Sequence, residues 1–353
     1  MGEPFRITVL PGDGIGVDVT REAKRVLEAV AAKVDGLSFV FSEESAGAGT
    51  YLEQGNPLPD AVIESCSAAD AVLLGAMGLP NVRWPDGKEM TPQIDLREKL
   101  QLYAGLRPIY LFHTDDSPLK DYEAGEIDFL LVRESTEGLF SGRLSEFAPE
   151  TGEVRDVMRI TRTGSERVIR AAFQEASRRR GKVTLIDKAN VLPSMVFFRE
   201  VFDEVATEFP EIETERIYVD AAALFLVTRP DTFDVLVTEN MFGDILSDLG
   251  AGLIGGMGMA PSGDVGDDCA VFQPSHGTAP DIAGRGIANP VATILSGAMM
   301  LEWLGTEPAK HGGRMIDRAV KEFLRDSGNR TPDGGGSLTT VEMGDGIIDL
   351  LAS

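Results

Sequence analysis

The first quarter of the chain alternates short apolar runs with segments of helical periodicity. The apolar runs 6–10, 39–42 and 71–74 predict strands, and segments 17–33 and 60–68 repeat apolar residues at helical spacing. Strands that are joined through helices pair in parallel, with the helices packed on the faces of the sheet. The chain is therefore predicted to fold as an α/β protein built on a parallel sheet.

Composition is that of an ordinary globular protein, apart from its charge. The chain has 353 residues, enough for two domains, and 43% of them are hydrophobic and 25% charged. Its formal net charge of −24 disfavours nucleic acid and anionic membranes as partners, although local arginines can still hold a small anion in a cleft. There is no signal-peptide pattern and no apolar segment of membrane-spanning length, so the predicted location is the cytoplasm.

Residues 11–16, with the sequence PGDGIG, form a glycine-rich turn between the first predicted strand and the first predicted helix. This order of elements outlines a phosphate-binding unit, in which backbone N–H groups at the helix start face the anion. The spacing is neither GxGxxG nor that of a P-loop, so a tight turn without a ligand explains it equally well. The turn alone leaves both interpretations open.

Asp244 and Asp248 lie four residues apart in a segment with helical periodicity, 238–250. About one helical turn separates them, so both carboxylates project from one face and repel each other unless a hard cation or basic side chains compensate. A solvated acidic helix face is the alternative interpretation in a chain this acidic. The apolar run 235–237 places the pair just past the carboxyl end of a predicted strand, where open α/β sheets bind ligands.

Three more polar residues follow predicted strands: Arg133 after 127–132, Lys188 after 183–186 and Asp220 after 217–219. An arginine that leaves a buried strand needs a carboxylate or an anion, and a lysine there can act as a base of lowered pKa. Ordinary explanations are a surface charge for the lysine and a helix N-cap for Asp220. Their joint position predicts one cleft with an anion clamp, a base and a site for a hard metal ion.

Weaker signals come from two other arginines and from the last third of the chain. Arg97 lies in a predicted helix, 96–103, and Arg107 at the start of a predicted strand; each is as consistent with the surface as with the cleft. Residues 250–266 are rich in glycine and contain no strong strand pattern. The loop around His276 combines small residues with a histidine, which permits close backbone approach to a flat or phosphorylated ligand.

Seven segments of the chain, taken together and in order, resemble one family, the metal-dependent β-decarboxylating dehydrogenases. That family includes 3-isopropylmalate, isocitrate, tartrate and D-malate dehydrogenases. The resemblance covers essentially the whole chain, and seven segments in order make it far more specific than any one of them. They are LPGDGIG, LREKLQLYAGLRP, VRESTEGLFSG, DKANVLP, YVDAAALFLV, ENMFGDILSDLGAGLIGG and HGTAPDIAGRGIANP.

The resemblance implies a two-domain, isopropylmalate dehydrogenase-like α/β fold with a discontinuous first domain. The implied boundaries are 1–102 and 255–353 for the nucleotide-binding domain, and 103–254 for an inserted domain that holds metal and substrate and forms the dimer. It also implies a homodimer in which each subunit completes the other's active site. Residues 141–161 carry few large apolar side chains and fit an exposed arm that pairs with a second copy.

The resemblance also assigns roles to individual residues. The clamp on the malate carboxylates corresponds to Arg97, Arg107 and Arg133. The ligands of Mg²⁺ or Mn²⁺ correspond to Asp244 and Asp248 with Asp220 of the neighbouring subunit, which also supplies Lys188 as the base near the substrate hydroxyl. The NAD contacts correspond to Ile15, Asn190, His276, Gly277, Thr278, Ala279, Asp281 and Asn289. The carboxylate of Asp281 would accept from a ribose hydroxyl and repel a 2′-phosphate, so NAD is expected rather than NADP.

Two positions depart from the family pattern. Phe140 stands where the family usually has a tyrosine that supplies or relays the last proton, and phenylalanine cannot donate one. Residues 90–94 match neither the apolar pattern for an isopropyl group nor the polar pattern for isocitrate, although Thr91 and Gln93 are polar. The leading substrate is 3-isopropylmalate, with isocitrate and tartrate or D-malate as alternatives. A catalytically idle relative that binds nucleotide is an alternative of another class.

Overall fold

A computed structural model of the chain describes residues 3–143 and 152–351, and its centre is one sheet of ten strands. The strands are β1 (Phe5–Gly12), β2 (Phe39–Glu43), β3 (Ala71–Ala76), β4 (Ala104–Tyr110), β5 (Asp128–Glu134), β6 (Lys182–Asp187), β7 (Glu213–Tyr218), β8 (Val235–Thr238), β9 (Pro261–Val265) and β10 (Ala270–Pro274). Their order across the sheet is β2-β1-β3-β10-β9-β4-β5-β8-β6-β7.

Within each half of the sheet the strands run parallel to one another, and antiparallel pairings join the two halves at a seam. Strands β2, β1, β3 and β10 run parallel in one half, and β5, β8, β6 and β7 in the other. At the seam, β9 and β4 pair antiparallel with each other and with their outer neighbours. Strands from both ends of the chain thus form one half, and strands from its middle form the other. The domain division at 102/103 and 254/255 stays a prediction.

Helices pack against the sheet in groups that follow its two halves. Helices α1, α9, α10 and α11 pack on one another beside β1, β3 and β10, whereas α5 packs on α6 and α7 packs on α8 beside the other half. The helices are α1 (Gly16–Ala31), α2 (Ala48–Gln54), α3 (Asp60–Ala68), α4 (Pro92–Lys99), α5 (Arg162–Ala176), α6 (Pro193–Ala206), α7 (Val219–Thr228), α8 (Asn240–Gly252), α9 (Val291–Leu304), α10 (Glu307–Phe323) and α11 (Thr340–Leu350). Within the described ranges, none of the helices combines the length and the apolar character needed to cross a bilayer.

The predicted α/β fold is confirmed, but several local elements differ from the sequence prediction. Residues 261–265, expected to lack a strand, form β9, and all five are buried. Helix α4 begins at Pro92, a residue suited to the first helical turn, so Gln93 is helical rather than in a loop. Arg133 lies inside β5 rather than after it, and Asp220 lies in the first turn of α7 rather than at its N-cap.

The carboxyl ends of β5, β8 and β6 meet at one edge of the sheet. These strands are parallel and in register, with Thr238 opposite both Arg133 and Ile186. The segments that leave them carry the loop to Phe140, helix α8 and Lys188, respectively. This edge therefore collects most of the polar residues that the sequence places at strand ends.

Part of the predicted dimer arm, residues 144–151, lies outside the described residues. At its base, Gly138 and Arg159 form an antiparallel bridge. Val154 and Val157 are 53% and 69% exposed. The pairing of this arm with a second copy stays a prediction.

Candidate active site

A cavity of about 290 Å³ lies at the carboxyl edge of the sheet. It is lined by seven of the residues predicted from the sequence: Arg97, Arg107, Arg133, Asp244, Asp248, His276 and Gly277. The arginines reach it from α4, β4 and β5, and the two aspartates project from one face of α8. Gln93 and Ile94 of α4, together with Phe140, also line it. We call this space the site cavity.

One buried carboxylate, that of Asp264 on β9, holds two of the arginines from outside the site cavity. Arg107 donates through Nη2 to Oδ1 at 3.0 Å, and Nε of Arg97 lies 2.9 Å from Oδ2. Gln273 donates through Nε2 to the same Oδ2 at 2.7 Å. Burial alone would raise the pKa of Asp264, but Arg107 and Arg97 lower it to about 2. The carboxylate is thus ionised at neutral pH and fixes both guanidinium groups.

Arg133 is held by helix α8 instead. Its Nε and Nη2 donate to Oδ1 of Asn240 at 3.0 and 2.7 Å, and its Nη1 contacts the carboxylate of Asp244. The ring centroid of Phe140 lies 5.2 Å from its guanidinium carbon, within cation–π range. Burial lowers the pKa of Arg133 to about 10, with Asp244 opposing the shift, so the side chain stays charged at neutral pH.

Asp244 and Asp248 face the site cavity from unequal surroundings. The side chain of Asp244 is 49% exposed and pairs with Arg133. At Asp248, partial burial together with the charge of Asp244 raises the pKa. A divalent cation between them would relieve this repulsion, because carboxylate oxygens suit hard cations.

The two carboxylates form only part of a ligand set. Among residues 3–143 and 152–351 of one chain, no group of three His, Cys, Asp or Glu side chains is arranged to hold a metal ion. Mg²⁺ commonly takes one or two protein carboxylates and completes its shell with water and substrate oxygens. The Asp244 and Asp248 pair therefore fits a hard divalent ion that draws further ligands from outside this chain.

Lys188 and Asp220 lie outside the site cavity. Lys188 Nζ donates to Asp220 Oδ1 at 2.6 Å, and this bond lowers the pKa of Asp220. The side chain of Asp220 is 69% exposed, and Asn190, the predicted nicotinamide contact, is exposed as well. A single chain thus keeps these three residues on the surface and away from the arginines.

The glycine turn is tied to the loops that follow β3 and β10. Ile15 N donates to the carbonyl oxygen of Thr278 at 2.8 Å, and Thr278 Oγ1 donates to that of Gly78 at 2.6 Å. Gly14 has a φ of +59°, and a Cβ there would lie 2.0 Å from the carbonyl oxygen of Thr278. Only glycine fits this contact, so Ile15 and Thr278, two predicted NAD contacts, are brought together by backbone geometry.

The remaining predicted NAD contacts lie on the chain that follows β10. Nε2 of His276 is buried and has no hydrogen-bond partner among the described residues, while Nδ1 lies 2.8 Å from the carbonyl oxygen of Gly277. Burial lowers the pKa of His276, which favours the neutral ring. Asn289 is buried, whereas Ala279 is half-buried and Asp281 is exposed. An unpaired buried nitrogen at the rim of a cavity is suited to a ligand.

Three polar residues of this region escaped the sequence predictions. Asp264 and Asn240 hold the arginines, and the Asp13 carboxylate accepts from the backbone N–H groups of Ala48, Gly49 and Gly78 at 2.7 to 2.8 Å. Asp13 had a signal, because an aspartate inside a glycine turn commonly caps nearby backbone. Asn240 had only its place at the start of the acidic helix. Asp264 had none, since Ser-Gly-Asp reads as a turn.

Comparison with known proteins assigns the chain to a class of enzyme. Residues 6–347 match the isocitrate/isopropylmalate dehydrogenase family. The 3-isopropylmalate dehydrogenase of Carboxydothermus hydrogenoformans is 43% identical over 98% of this chain and 94% of its own length. That of Bacillus subtilis is 44% identical over 93% and 91%, respectively. The structure of isocitrate dehydrogenase from Methylococcus capsulatus superposes with a TM-score of 0.89 at 40% identity, covering 99% of this chain and all of that one.

The fold and the matches define a decarboxylating dehydrogenase that acts on a CH–OH group. The chain belongs to the isocitrate/isopropylmalate dehydrogenase family. The predicted family, fold class and class of enzyme are thereby confirmed. The roles of the individual residues, the substrate and the subunit arrangement stay predictions.

Proposed function

We propose that the chain catalyses the oxidative decarboxylation of a 3-substituted (2R)-malate with NAD⁺ and a divalent ion, Mg²⁺ or Mn²⁺. 3-Isopropylmalate is the leading substrate, because relatives at 43% and 44% identity carry that name. The observation that supports the proposal most is the convergence of Arg97, Arg107 and Arg133 on the cavity that Asp244 and Asp248 face. Three cations beside two carboxylates suit an anionic substrate that a metal ion helps to hold.

In this proposal, the three arginines bind and orient the substrate carboxylates. Guanidinium groups form paired hydrogen bonds with carboxylates, and the buried setting strengthens them. Lys188 of the partner subunit removes the proton of the C2 hydroxyl. When bound, NAD⁺ would accept the hydride from C2, and a divalent ion held by Asp244 and Asp248 would polarise the C2 oxygen, which favours loss of the C3 carboxylate as CO₂. Phe140 lines the cavity but has no hydroxyl group, so water or another side chain supplies the proton that replaces CO₂ at C3.

The proposal requires a homodimer, because Lys188 and Asp220 lie outside the site cavity of their own chain. Large apolar side chains are exposed on the same elements: Val191 is 63%, Leu224 58% and Ile245 57% exposed. Helices α7 and α8, which carry Leu224 and Ile245, pack on each other. Clustered exposed apolar residues are typical of protein interfaces. A second copy seated on these helices would cover them and bring its Lys188 and Asp220 towards Asp244.

Isocitrate is the second candidate substrate, and one observation favours it. Oε1 of Gln93 is buried, lines the site cavity and has no hydrogen-bond partner among the described residues. The Gln93 amide can donate through Nε2 to the carboxylate that the C3 substituent of isocitrate carries, and its Oε1 can accept from a C3 hydroxyl such as that of tartrate, whereas the neighbouring Ile94 suits an apolar substituent. The isocitrate dehydrogenase of Methylococcus capsulatus, 40% identical, is consistent with this alternative.

Gln93→Leu is expected to separate the two substrates. Removal of the amide should raise KM for isocitrate by about tenfold, because a polar substituent would then face an apolar side chain. The KM for 3-isopropylmalate should stay within about twofold or fall, since an isopropyl group gains an apolar neighbour. The measurement is steady-state kinetics with both substrates. An equal rise in both KM values would show that Gln93 does not read the C3 substituent.

The proposed function is tested by NADH absorbance with Mn²⁺ and four substrates: 3-isopropylmalate, isocitrate, tartrate and D-malate. We expect turnover with NAD⁺, little with NADP⁺, and loss of the signal on adding a chelator. The NAD⁺ preference rests on Asp281, an exposed carboxylate that would repel a 2′-phosphate. If a folded dimer turns over none of the four substrates, the proposal fails in favour of an idle relative.

A further inference from the structure

Arg133 lies across helix α8 and contacts positions 240, 243 and 244 on one face of it. Its guanidinium meets Asn240 at the start of the helix and Asp244 one turn later. Between them, Gly243 leaves room for the aliphatic part of the arginine, since a Cβ there would lie 2.6 Å from Arg133 Cγ. The side chain is therefore placed by α8 along its whole length.

The amide of Asn240 is fully engaged in this arrangement. Its Oδ1 accepts from Nε and Nη2 of Arg133, and its Nδ2 donates to the carbonyl oxygen of Glu137 at 3.0 Å. The residue is 2% exposed and lies outside the lining of the site cavity. Asn240 thus meets the arginine and the loop after β5, and it does not line the site cavity itself.

Because position 240 carries an amide, Arg133 is held there without an added negative charge. An amide accepts the two hydrogen bonds that orient a guanidinium but adds no charge, whereas a carboxylate would form an ion pair and compete with an incoming anion. The other two arginines of the cavity already share the carboxylate of Asp264. Within the described part of the chain, Arg133 forms an ion pair with one carboxylate, that of Asp244, through Nη1.

We propose that Asn240 is a positioning residue that directs Arg133 at the substrate carboxylate without neutralising its charge. The two hydrogen bonds occupy the Nε and Nη2 edge of the guanidinium and leave its Nη1 side towards Asp244 and the site cavity. This inference rests on the proposed function, in which Arg133 binds a substrate carboxylate. It adds a residue that shapes recognition without touching the ligand.

Asn240→Ala tests the orienting role through KM and kcat. Free rotation of Arg133 should raise KM for the malate substrate by about tenfold, with kcat and the KM for NAD⁺ within about twofold, because substrate binding is weakened. A merely structural role would instead lower the active fraction, so kcat would fall at unchanged KM. The matched control is Asn329→Ala, which also removes an amide bonded to a backbone carbonyl, that of Phe323. It should leave the substrate KM unchanged.

Two further variants keep the inference falsifiable if Asn240→Ala folds poorly. Asn240→Asp has nearly the same shape but places a negative charge against Arg133, so the substrate KM should again rise by about tenfold. Gly243→Ala keeps the Asn240 side chain and favours the helix, yet its methyl group would lie 2.6 Å from Cγ of Arg133 and displace the arginine from the Asn240 amide. It should also raise the substrate KM.

The outcomes separate this inference from the proposed function. If the wild-type enzyme turns over the substrate and Asn240→Ala keeps its KM within twofold, Asn240 does not position Arg133. An unchanged KM in Asn240→Asp would refute the role of neutrality at this position. A wild-type enzyme that is inactive on all four substrates would instead overturn the proposed function.

Discussion

Asp244→Asn is expected to lower metal-dependent turnover by about a hundredfold or more without unfolding the protein. The substitution removes one of the two carboxylates proposed to bind the divalent ion. It also removes the like charge that raises the pKa of Asp248, which offsets the loss of the half-exposed ion pair with Arg133. The measurements are NADH formation over a range of Mn²⁺ concentrations and the thermal unfolding temperature.

A matched control for Asp244→Asn is Asp203→Asn. The side chain of Asp203 is 50% exposed and pairs with Arg216. Asp203→Asn therefore removes an ion pair of a carboxylate that is about as exposed as Asp244 but lies outside the site cavity. We expect full activity from this variant. If Asp244→Asn keeps wild-type activity and the same Mn²⁺ dependence, Asp244 is not a metal ligand.

The same variant allows a test of the shared site. Asp220→Asn and Asp244→Asn should each be inactive as homodimers. After the two are unfolded together and refolded, half of the dimers contain one chain of each kind, and one of their two sites combines an intact Asp244 with an intact Asp220 of the partner subunit. About a quarter of wild-type activity should therefore return. No recovery in a properly reassembled mixture would contradict the contribution of Asp220 across the interface.

Asp264→Asn is expected to destabilise the folded state by about 3–5 kcal/mol. The substitution leaves Arg97 and Arg107 buried side by side without their shared counter-ion. A dicarboxylate such as malonate should restore part of the loss, because an anion in the site cavity would replace the missing charge. The measurement is urea unfolding with and without malonate.

The matched control for Asp264→Asn is Asp116→Asn. Asp116 is buried against Arg330, with Nε at 2.7 Å, and it lies outside the site cavity. Its loss should also destabilise the protein, but malonate should restore no more stability than it adds to the wild type. If Asp264→Asn costs less than about 1 kcal/mol, the buried carboxylate does not hold the arginines.

The same carboxylate predicts a pH dependence. Its pKa in the folded protein is about 2, below the ordinary value of 3.8. A lowered pKa contributes stability that is fully present above about pH 4 and is lost as the pH falls towards 2. The difference corresponds to roughly 2–3 kcal/mol of unfolding free energy. Asp264→Asn should flatten this part of the acid-unfolding profile.

The site residues whose position could be predicted from the sequence are those at strand ends. Arg133, Asp244 and Asp248 follow or end strongly apolar runs, and the parallel register of β5 and β8 brings them to one edge. Asp264 was unpredictable because β9 has no apolar alternation, and burial by neighbouring strands leaves no trace in its own sequence. The start of α4 was missed although Pro92 is a helix-start signal.

Lys188 and Asp220 show a different limit of sequence reasoning. Both were singled out, yet in one chain they bond to each other on an exposed surface. Their assignment to the site came from the family resemblance and needs a second chain. The terminal proton donor is a further gap, because Phe140 occupies the expected place and packs on Arg133 instead.

The proposed substrate contacts are divided between a rigid and a replaceable part of the molecule. Arg107, Arg133 and Asp264 are carried on three adjacent sheet strands, so a change in their spacing would require neighbouring strands to shift together. Gln93 and Ile94 stand on a short helix outside the sheet. In this proposal, exchange of a few residues in that helix can change the substrate. The sheet arginines Arg107 and Arg133, which would bind the malate portion that the substrates share, can stay the same.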